Sequence, residues 1–487
     1  MATDVAVRPK ATMSVEQNGI NVISDAERKG RPRDLFWPWC AANIAVLGIS
    51  YGSFLLGFGV SFWQATIAGI VGTVLSFLLV GFVSLAGKRG SAPTMVLSRA
   101  AYGVQGGKIP AALSYILLVG WETVLVSLAT LATATVFARL GWGGGDATKI
   151  IAFLFVAGVV VFSGIFGFNV IMRLQTFLTV ALTVLTVGYV LLTAGHINWG
   201  AVTAVPGGSA QAVLGALIFA ATGFGLGWVN SGADYSRYLP RSASSAGVVG
   251  WTTFGAAIAP VLLVVYGLLL AASDQKLSSA IGADPVGALT TLLPTWYLLF
   301  FALVAIGGLI GGAVLDIYSS GLALLTLGLK VPRWTAAAID GVIMVLGTIY
   351  VVWIASSFIG PFQGFLITLG VPIAAWCGVF LADLLLRKRD YAESDLYDSR
   401  GRYGSLNWVA VGTTLVATFL GWGLVTNTFA GWLSWQGYLL NPLGLGPKDN
   451  GPWTFANLGV LVALLVGFLG QFLLARAQVA RQESAQT

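Results

Sequence analysis

Charge is what this 487-residue chain has least of: Asp, Glu, Lys and Arg make up 9% of it, against 57% hydrophobic residues. Soluble domains carry roughly 25% charged residues, so a water-soluble domain is excluded and a polytopic membrane protein is implied. Histidine occurs once, as His196, and cysteine twice, as Cys40 and Cys377. Both cysteines lie in apolar segments and read as small buried residues, not as a disulfide framework or metal ligands. With no His/Cys/carboxylate cluster a metal enzyme is not supported. No G-x-S-x-G or phosphate-loop pattern supports a hydrolase or nucleotide-binding enzyme either. The alternating polar and apolar residues of a membrane barrel are also missing. Residues 1–34 are polar, so no cleavable leader is expected there.

What remains is long apolar runs. A membrane helix needs about 20 apolar residues, and hydropathy marks twelve spans: roughly 38–61, 63–86, 109–138, 148–170, 174–194, 211–232, 247–272, 294–328, 334–356, 359–386, 407–433 and 455–476. Charge tests this count independently. With the N-terminus cytoplasmic, every Lys and Arg except Arg139, Lys149, Lys276 and Lys448 falls on the cytoplasmic side, as the positive-inside rule requires. The net charge of +7 is therefore a topology signal and not a nucleic-acid surface. Residues 1–34 read as a disordered cytoplasmic tail and 387–406 as a charged cytoplasmic linker. Residues 407–478 hold the last two spans and 479–487 a second cytoplasmic tail. Residues 89–105 read as a short amphipathic connector on the same side.

Two spans are dense in glycine and small polar residues: GISYGSFLLGFG (48–59), which includes Ser50 and Gly52, and ATGFGLGWVNSG (221–232). They are five spans apart, which suits a five-plus-five inverted repeat (about 35–195 and 209–386) within a transporter core at 35–386, with two helices added. Transporters bind their solutes where paired spans unwind, and irregular backbone at membrane depth persists only inside protein or along a cavity. Close packing of regular helices through small residues is the alternative.

Three carboxylates interrupt apolar runs: Glu122 in LLVGWETVLV, Asp316 in span 8 and Asp340 in span 9. Each costs about 2.5–3.5 kcal/mol at mid-membrane on insertion scales. Asp340 lies about two turns from the basic start of its span and is expected near the interface, satisfied by water or a cytoplasmic arginine. Glu122 and Asp316 lie deeper, with no Lys, Arg or His in mid-span to pair with. Burial favours the neutral acid, and a carboxyl that is neutral part of the time is a natural proton carrier; a structural acid hydrogen-bonded between helices is the alternative. Trp121, beside Glu122, and Trp228, in the sixth-span glycine stretch, offer flat apolar faces, unless they belong to the interfacial belt. Gln211 and Asn230 are weaker candidates.

The stretches NIAVLGISYGSFLLGFG (43–59), SAPTMVLSRAAYG (91–103), ADYSRYLP (233–240) and DIYSSGLALLTLG (316–328), with Gly120–Trp121, resemble the nucleobase–cation symporter family in its purine–cytosine permease branch. The resemblance implies a LeuT-like fold of twelve helices, with spans 1–5 and 6–10 as inverted repeats. It also implies a solute sandwiched between aromatic residues of spans 3 and 6. By position those are Trp121 and Trp228, with Phe224 the competing sixth-span platform, and Asp316 stands where the family usually has asparagine. Leu125 stands where the family often has Asn or Gln, and Glu122 is a candidate to replace that role, although it points about 100° around the helix from Trp121. Sodium-coupled members supply hydroxyls where this chain has Ile310 and Gly311.

The resulting expectation is a plasma-membrane transporter, not an enzyme, with both termini cytoplasmic and no cofactor beyond a co-transported cation, a proton before sodium. Its substrate is a nucleobase such as cytosine or a purine, with a vitamin-like ring (pyridoxine, thiamine) or a passive channel as alternatives. The expected binding residues are Trp121, Glu122, Phe224, Trp228, Asp316, Ser50 and Gly52, with Asp316 and Glu122 as proton carriers. Lipid is the other partner, nucleic acid is not one, and a monomer is compatible with the sequence.

Overall fold

The computed structural model describes residues 15–355, 359–428, 431–446 and 451–484. The regular elements among them are all helical. The helices that frame the molecule are α1 (Phe36–Asn43), α2 (Leu47–Leu56), α3 (Phe62–Gly90), α4 (Lys108–Arg139), α5 (Asp146–Phe166), α6 (Phe168–Thr193), α7 (Ala210–Gly223), α8 (Gly232–Ser236), α9 (Ser245–Ser273), α10 (Leu298–Thr326), α11 (Arg333–Ile349), α12 (Ile359–Leu386), α13 (Trp408–Trp422), α14 (Leu458–Leu474) and α15 (Arg476–Ser484). Nine spans among the described residues are long and apolar enough to cross a membrane, or up to 11 if each of two bent pairs counts as one. The expected twelve are reached only by adding α13. Its 15 residues make about 22 Å at 1.5 Å per residue, short of a hydrocarbon core of roughly 30 Å.

The outer surface is apolar. Ile151, Phe155, Phe177, Val184 and Leu191 of α5 and α6 all point outward, and apolar exposure on this scale calls for lipid. The inner helices α4, α9, α10 and α12 are mostly buried.

Two spans are interrupted. α1 and α2 form one span bent by 65°, with the break at Ile44–Val46. This lies a turn earlier than the glycine-rich stretch, which is regular helix from Leu47 to Leu56. Its Gly52 serves packing: a Cβ there would lie 2.2 Å from the Leu268 amide nitrogen of α9. The break itself is admitted by α10, where a Cβ at Gly308 or Gly311 would come within 2.7 Å of the Ile44 or Ala41 carbonyl. The sixth span opens between α7 and α8, where residues 225–231 form two tight turns. A Cβ at Gly225 would lie 2.2 Å from the Ser76 carbonyl carbon of α3. The Gly225 N–H, freed from the helix, donates to Ser76 Oγ at 3.0 Å.

Of residues 1–34, expected as a disordered tail, 1–14 lie outside the described residues and 15–34 are packed against the helices. Ile23 is buried and its N–H donates to the Ser91 carbonyl at 2.8 Å. Arg28 donates to Ser91, to the Leu239 carbonyl and to the Lys88 carbonyl. Glu16 is the anchor. Its carboxylate accepts from the Phe168 N–H at 2.8 Å, from the Tyr318 hydroxyl at 3.1 Å and from the Tyr238 hydroxyl. It lies 3.5 Å from both Arg237 and Arg333. The segment orders because it supplies the anion that two buried guanidinium groups require.

The ADYSRYLP stretch works on this same face. Asp234 accepts from the Thr94 N–H at 2.7 Å and its hydroxyl at 2.8 Å, Tyr235 donates to the Leu315 carbonyl at 2.8 Å, and Ser236 donates to the Ser84 carbonyl at 2.7 Å. The 89–105 connector is correspondingly buried, as two short helices, Thr94–Leu97 and Arg99–Tyr102. Burial depresses the basicity of Arg99. The 387–406 linker docks on the connector through Val104 N–H to Gly404 and Gln105 N–H to Ser405.

Two outcomes are expected. Gly52→Ala forces α2 off α9 and costs about 1–3 kcal/mol, read as a lower melting temperature and a less monodisperse elution profile. Glu16→Ala leaves buried donors without their acceptor, costs about 1–3 kcal/mol, and exposes residues 15–31 to protease; Glu16→Gln falls between it and the parent.

Candidate functional site: an aromatic cavity between two helix breaks

The two breaks face one another across a small cavity of about 50 Å³. Asn43 and Tyr51 from either side of the first break, Trp121 and Leu125 from α4, and Phe224 and Trp228 from the sixth-span break line it. Each aromatic wall is held from behind. Trp121 meets Phe362 of α12 edge-on at 5.4 Å, Trp228 meets Trp39 edge-on at 5.7 Å, and Phe224 leans on Tyr51 at 4.5 Å. Trp121 Nε1 is buried without a hydrogen-bond partner, beside Gly227, whose Cβ would lie 3.1 Å from it. The wall thus offers apolar faces and one free donor, the equipment for a flat ring with an acceptor at its edge.

A second space, of about 830 Å³, opens on the face opposite the N-terminal segment, lined by Ser53, Phe54, Gln211, Gln275 and Ser278 among others. Tyr51, Phe54 and Phe219 pack together, and Phe54 and Tyr51 line the vestibule and the cavity respectively. The Glu16 cluster closes the other face.

The candidates from sequence divide into two groups. Trp121, Phe224 and Trp228 share the cavity. Ser50 and Gly52 lie elsewhere: Ser50 Oγ donates to the Pro285 carbonyl at 2.5 Å, and Gly52 packs on α9. Gln211 lines the vestibule. Asn230 donates to Ser114 Oγ of α4 at 2.8 Å. Neither Glu122 nor Asp316 lines the cavity. Glu122 follows Trp121 by about 100° around α4, so with the indole in the cavity its carboxyl faces α10, 2.7 Å from Ser320 Oγ. Asp316 is 1% exposed, with no donor to either oxygen.

Asp340 differs most from expectation. It is fully buried and contacts Ser320 Oγ, while the arginine two turns away, Arg333, donates to the Gly164 and Ile165 carbonyls. Sequence position gave its depth along the helix but not the face it occupies. Two polar residues escaped the sequence reading. Asn43 stands at the end of α1, where an amide beside a break was the available signal. Gln175 of α6 is fully buried, and its Nε2 donates to the Gly311 carbonyl at 2.7 Å. A lone Gln in a long apolar span was the only hint of it.

Two spans broken around one aromatic cavity, a lipid-facing exterior and opposed closures define a membrane transporter built on discontinuous helices. Comparison with known proteins specifies it further. The family model described as "Permease for cytosine/purines, uracil, thiamine, allantoin" matches residues 22–439. YxlA of Bacillus subtilis (strain 168), which carries a provisional purine-cytosine permease name, is 24% identical over 425 residues, covering 86% of this chain and 90% of that protein. The cytosine permease of Escherichia coli (strain K12) is 27% identical over 390 residues, 76% of this chain and 82% of that one. The solved structure of Mhp1, a nucleobase-cation-symport-1 family transporter in a closed conformation with bromovinylhydantoin bound, superposes with a TM-score of 0.68 at 20% identity, over 97% of this chain and 100% of that chain. The chain belongs to the cytosine/purine permease family, and its fold is the five-plus-five LeuT-like one.

Trp121→Ala or Trp228→Ala removes one stacking face, worth about 1–3 kcal/mol for a base-like ring. The expected outcome is a rise in KM of roughly 5- to 150-fold in uptake assays. Trp121→Phe keeps a face and loses the donor, so it separates stacking from hydrogen bonding.

Proposed function

We propose that the chain is a plasma-membrane importer of a nucleobase, cytosine or a purine, driven by a co-transported proton through alternating access, with both termini cytoplasmic. The observation that carries this reading is the Trp121–Phe224–Trp228 cavity at the meeting of two helix breaks, in a member of a cytosine/purine permease family. In this reading the ring stacks between Trp121 and a sixth-span aromatic. Trp121 Nε1 bonds its edge, and a small shift of α10 brings Asp316 to its ring nitrogens or amino group. The 50 Å³ cavity must widen to admit it, so the ring enters as the Tyr51–Phe54 cluster parts.

The preference for a proton rests on two features. Gly311 and Ile310 bring no side-chain oxygen, and the Gly311 carbonyl is already taken by the Gln175 amide N–H, which leaves few of the several acceptors a cation needs. Glu122 and Asp316 are buried acids, and in the proton reading they carry the coupling charge.

The test is uptake of radiolabelled cytosine and hypoxanthine into cells expressing the chain, with and without a protonophore and with and without sodium. The expected result is saturable uptake that collapses with the protonophore and ignores sodium. Accumulation that follows sodium reverses the ion assignment. Flux without accumulation makes the chain a passive facilitator. Uptake of pyridoxine or thiamine in place of either base moves the substrate to the vitamin-like rings.

A further inference from the structure

Glu122, Ser320 and Asp340 come from three helices, α4, α10 and α11. Ser320 Oγ touches both acids, Glu122 Oε1 at 2.7 Å and Asp340 Oδ2 on its other side, and the two carboxyls face each other. Both are fully buried. Glu122 Oε2 has no hydrogen-bond partner, and the Tyr115 hydroxyl stands beside Asp340. The titratable groups that face the set are Tyr115 from α4 and Asp316 from α10. The described residues of α5 and α12, which also pack on α4, add none, and among the described residues no Lys, Arg or His faces it.

The Tyr115 hydroxyl serves Asp340 alone, so the group that joins the two acids is Ser320. A serine hydroxyl has one hydrogen to give and lone pairs to receive. Between two ionised carboxylates it can donate to one only, and the other would press a charged oxygen against its lone pairs. One added proton resolves this. The protonated carboxyl donates to Oγ, and Oγ donates to the remaining carboxylate. Reversing the hydroxyl moves the proton from one acid to the other, with no atom or charge left over.

We propose that Glu122, Ser320 and Asp340 form the proton-binding site of the transport cycle, holding one exchangeable proton between two carboxyls across a serine hydroxyl, on a face of α4 that does not line the aromatic cavity. This rests on the reading of the chain as a proton-coupled importer and adds to it the location of the site and the role of Asp340. Trp121 and Glu122 are consecutive on α4, so one helical turn carries a wall of the cavity on one face and half of the proton site on the next, about 100° around. Asp316, one turn before Ser320 on α10, is the next acceptor toward the ring.

The experiment uses the full chain in proteoliposomes with an internal pH dye and radiolabelled cytosine or hypoxanthine, whichever the cell assay shows is carried. With about 100 mV across the membrane, one coupled proton supports roughly 50-fold accumulation. Asp340→Asn, Glu122→Gln and Ser320→Ala are each expected to bring protons per substrate close to zero and accumulation close to equality. Ser320→Thr, which keeps the hydroxyl, is expected to retain coupling. Asp340→Asn with the parental proton stoichiometry would overturn the site. Absence of proton influx in the parent itself is a different result: it removes the coupling reading, and the site with it. Infrared spectroscopy of the parent guards against a variant that fails to fold. A protonated carboxylic acid band at neutral pH, shifted by deuterium, that is kept in Asp316→Asn and lost in Asp340→Asn supports the shared proton, and a band that only Asp316→Asn removes overturns it.

Discussion

The rest of this structure depends on the requirement that backbone polar groups inside a membrane find partners within the protein. A broken span frees N–H and C=O groups that lipid cannot satisfy, so each break must be enclosed. The sixth-span break is enclosed by α3, whose Ser76 hydroxyl takes the freed Gly225 N–H. The first lies against α10, whose glycines allow the carbonyl end of α1 to approach. Enclosure of both brings Trp121, Phe224 and Trp228 around one space. The cavity is a by-product of where two unwound segments can be hidden.

In the proposed reading, ring and proton occupy different faces of α4, about 100° apart. A flat apolar ring asks for aromatic faces and few charges, whereas a proton carrier asks for acids held away from cations. One cavity serving both would place carboxylates against the ring and hydrate them whenever the site opened. With Glu122 turned to α10 and α11, Glu122 and Asp340 stay in the interior of the helix bundle, and Asp316 is the one carboxyl that the proposed reading brings to the ring. The carboxylate in LLVGWETVLV is met by a hydroxyl and a second acid, with no cation facing it among the described residues.

Much of the fold was legible because hydropathy and charge sign act locally. The tenth span, 359–386, coincides with α12, and the aromatic break at 224–231 lies within the glycine-rich stretch that marked it. Legibility fails where tertiary contact chooses a face. Asp340 looked like an interface residue because Arg333 is two turns away, yet Arg333 is drawn to the Gly164 and Ile165 carbonyls and Asp340 to Ser320. Ser50 and Gly52 sit in the right stretch, but the break falls a turn before them, so their roles are a loop tie and a helix contact. The polar N-terminal segment read as disordered because its stabilising partners lie in distant parts of the chain. The family motif ADYSRYLP, the most distinctive stretch in the sequence, belongs to the closed face and not to the cavity.

The Glu16 cluster also has a consequence for biogenesis. Glu16 leaves the ribosome well before its partners: Tyr238 follows 222 residues later and Tyr318 302 residues later. At about 5–20 residues per second, roughly 15–60 s separate the synthesis of Glu16 and Tyr318. During that interval the earliest spans are in the membrane while the anchor has no partners to hold. Closure of this face is therefore a late step of assembly, completed only once α10 and α11 are in place. A chain stalled before the ninth span would lack Arg333, one of the two guanidinium groups that hold Glu16.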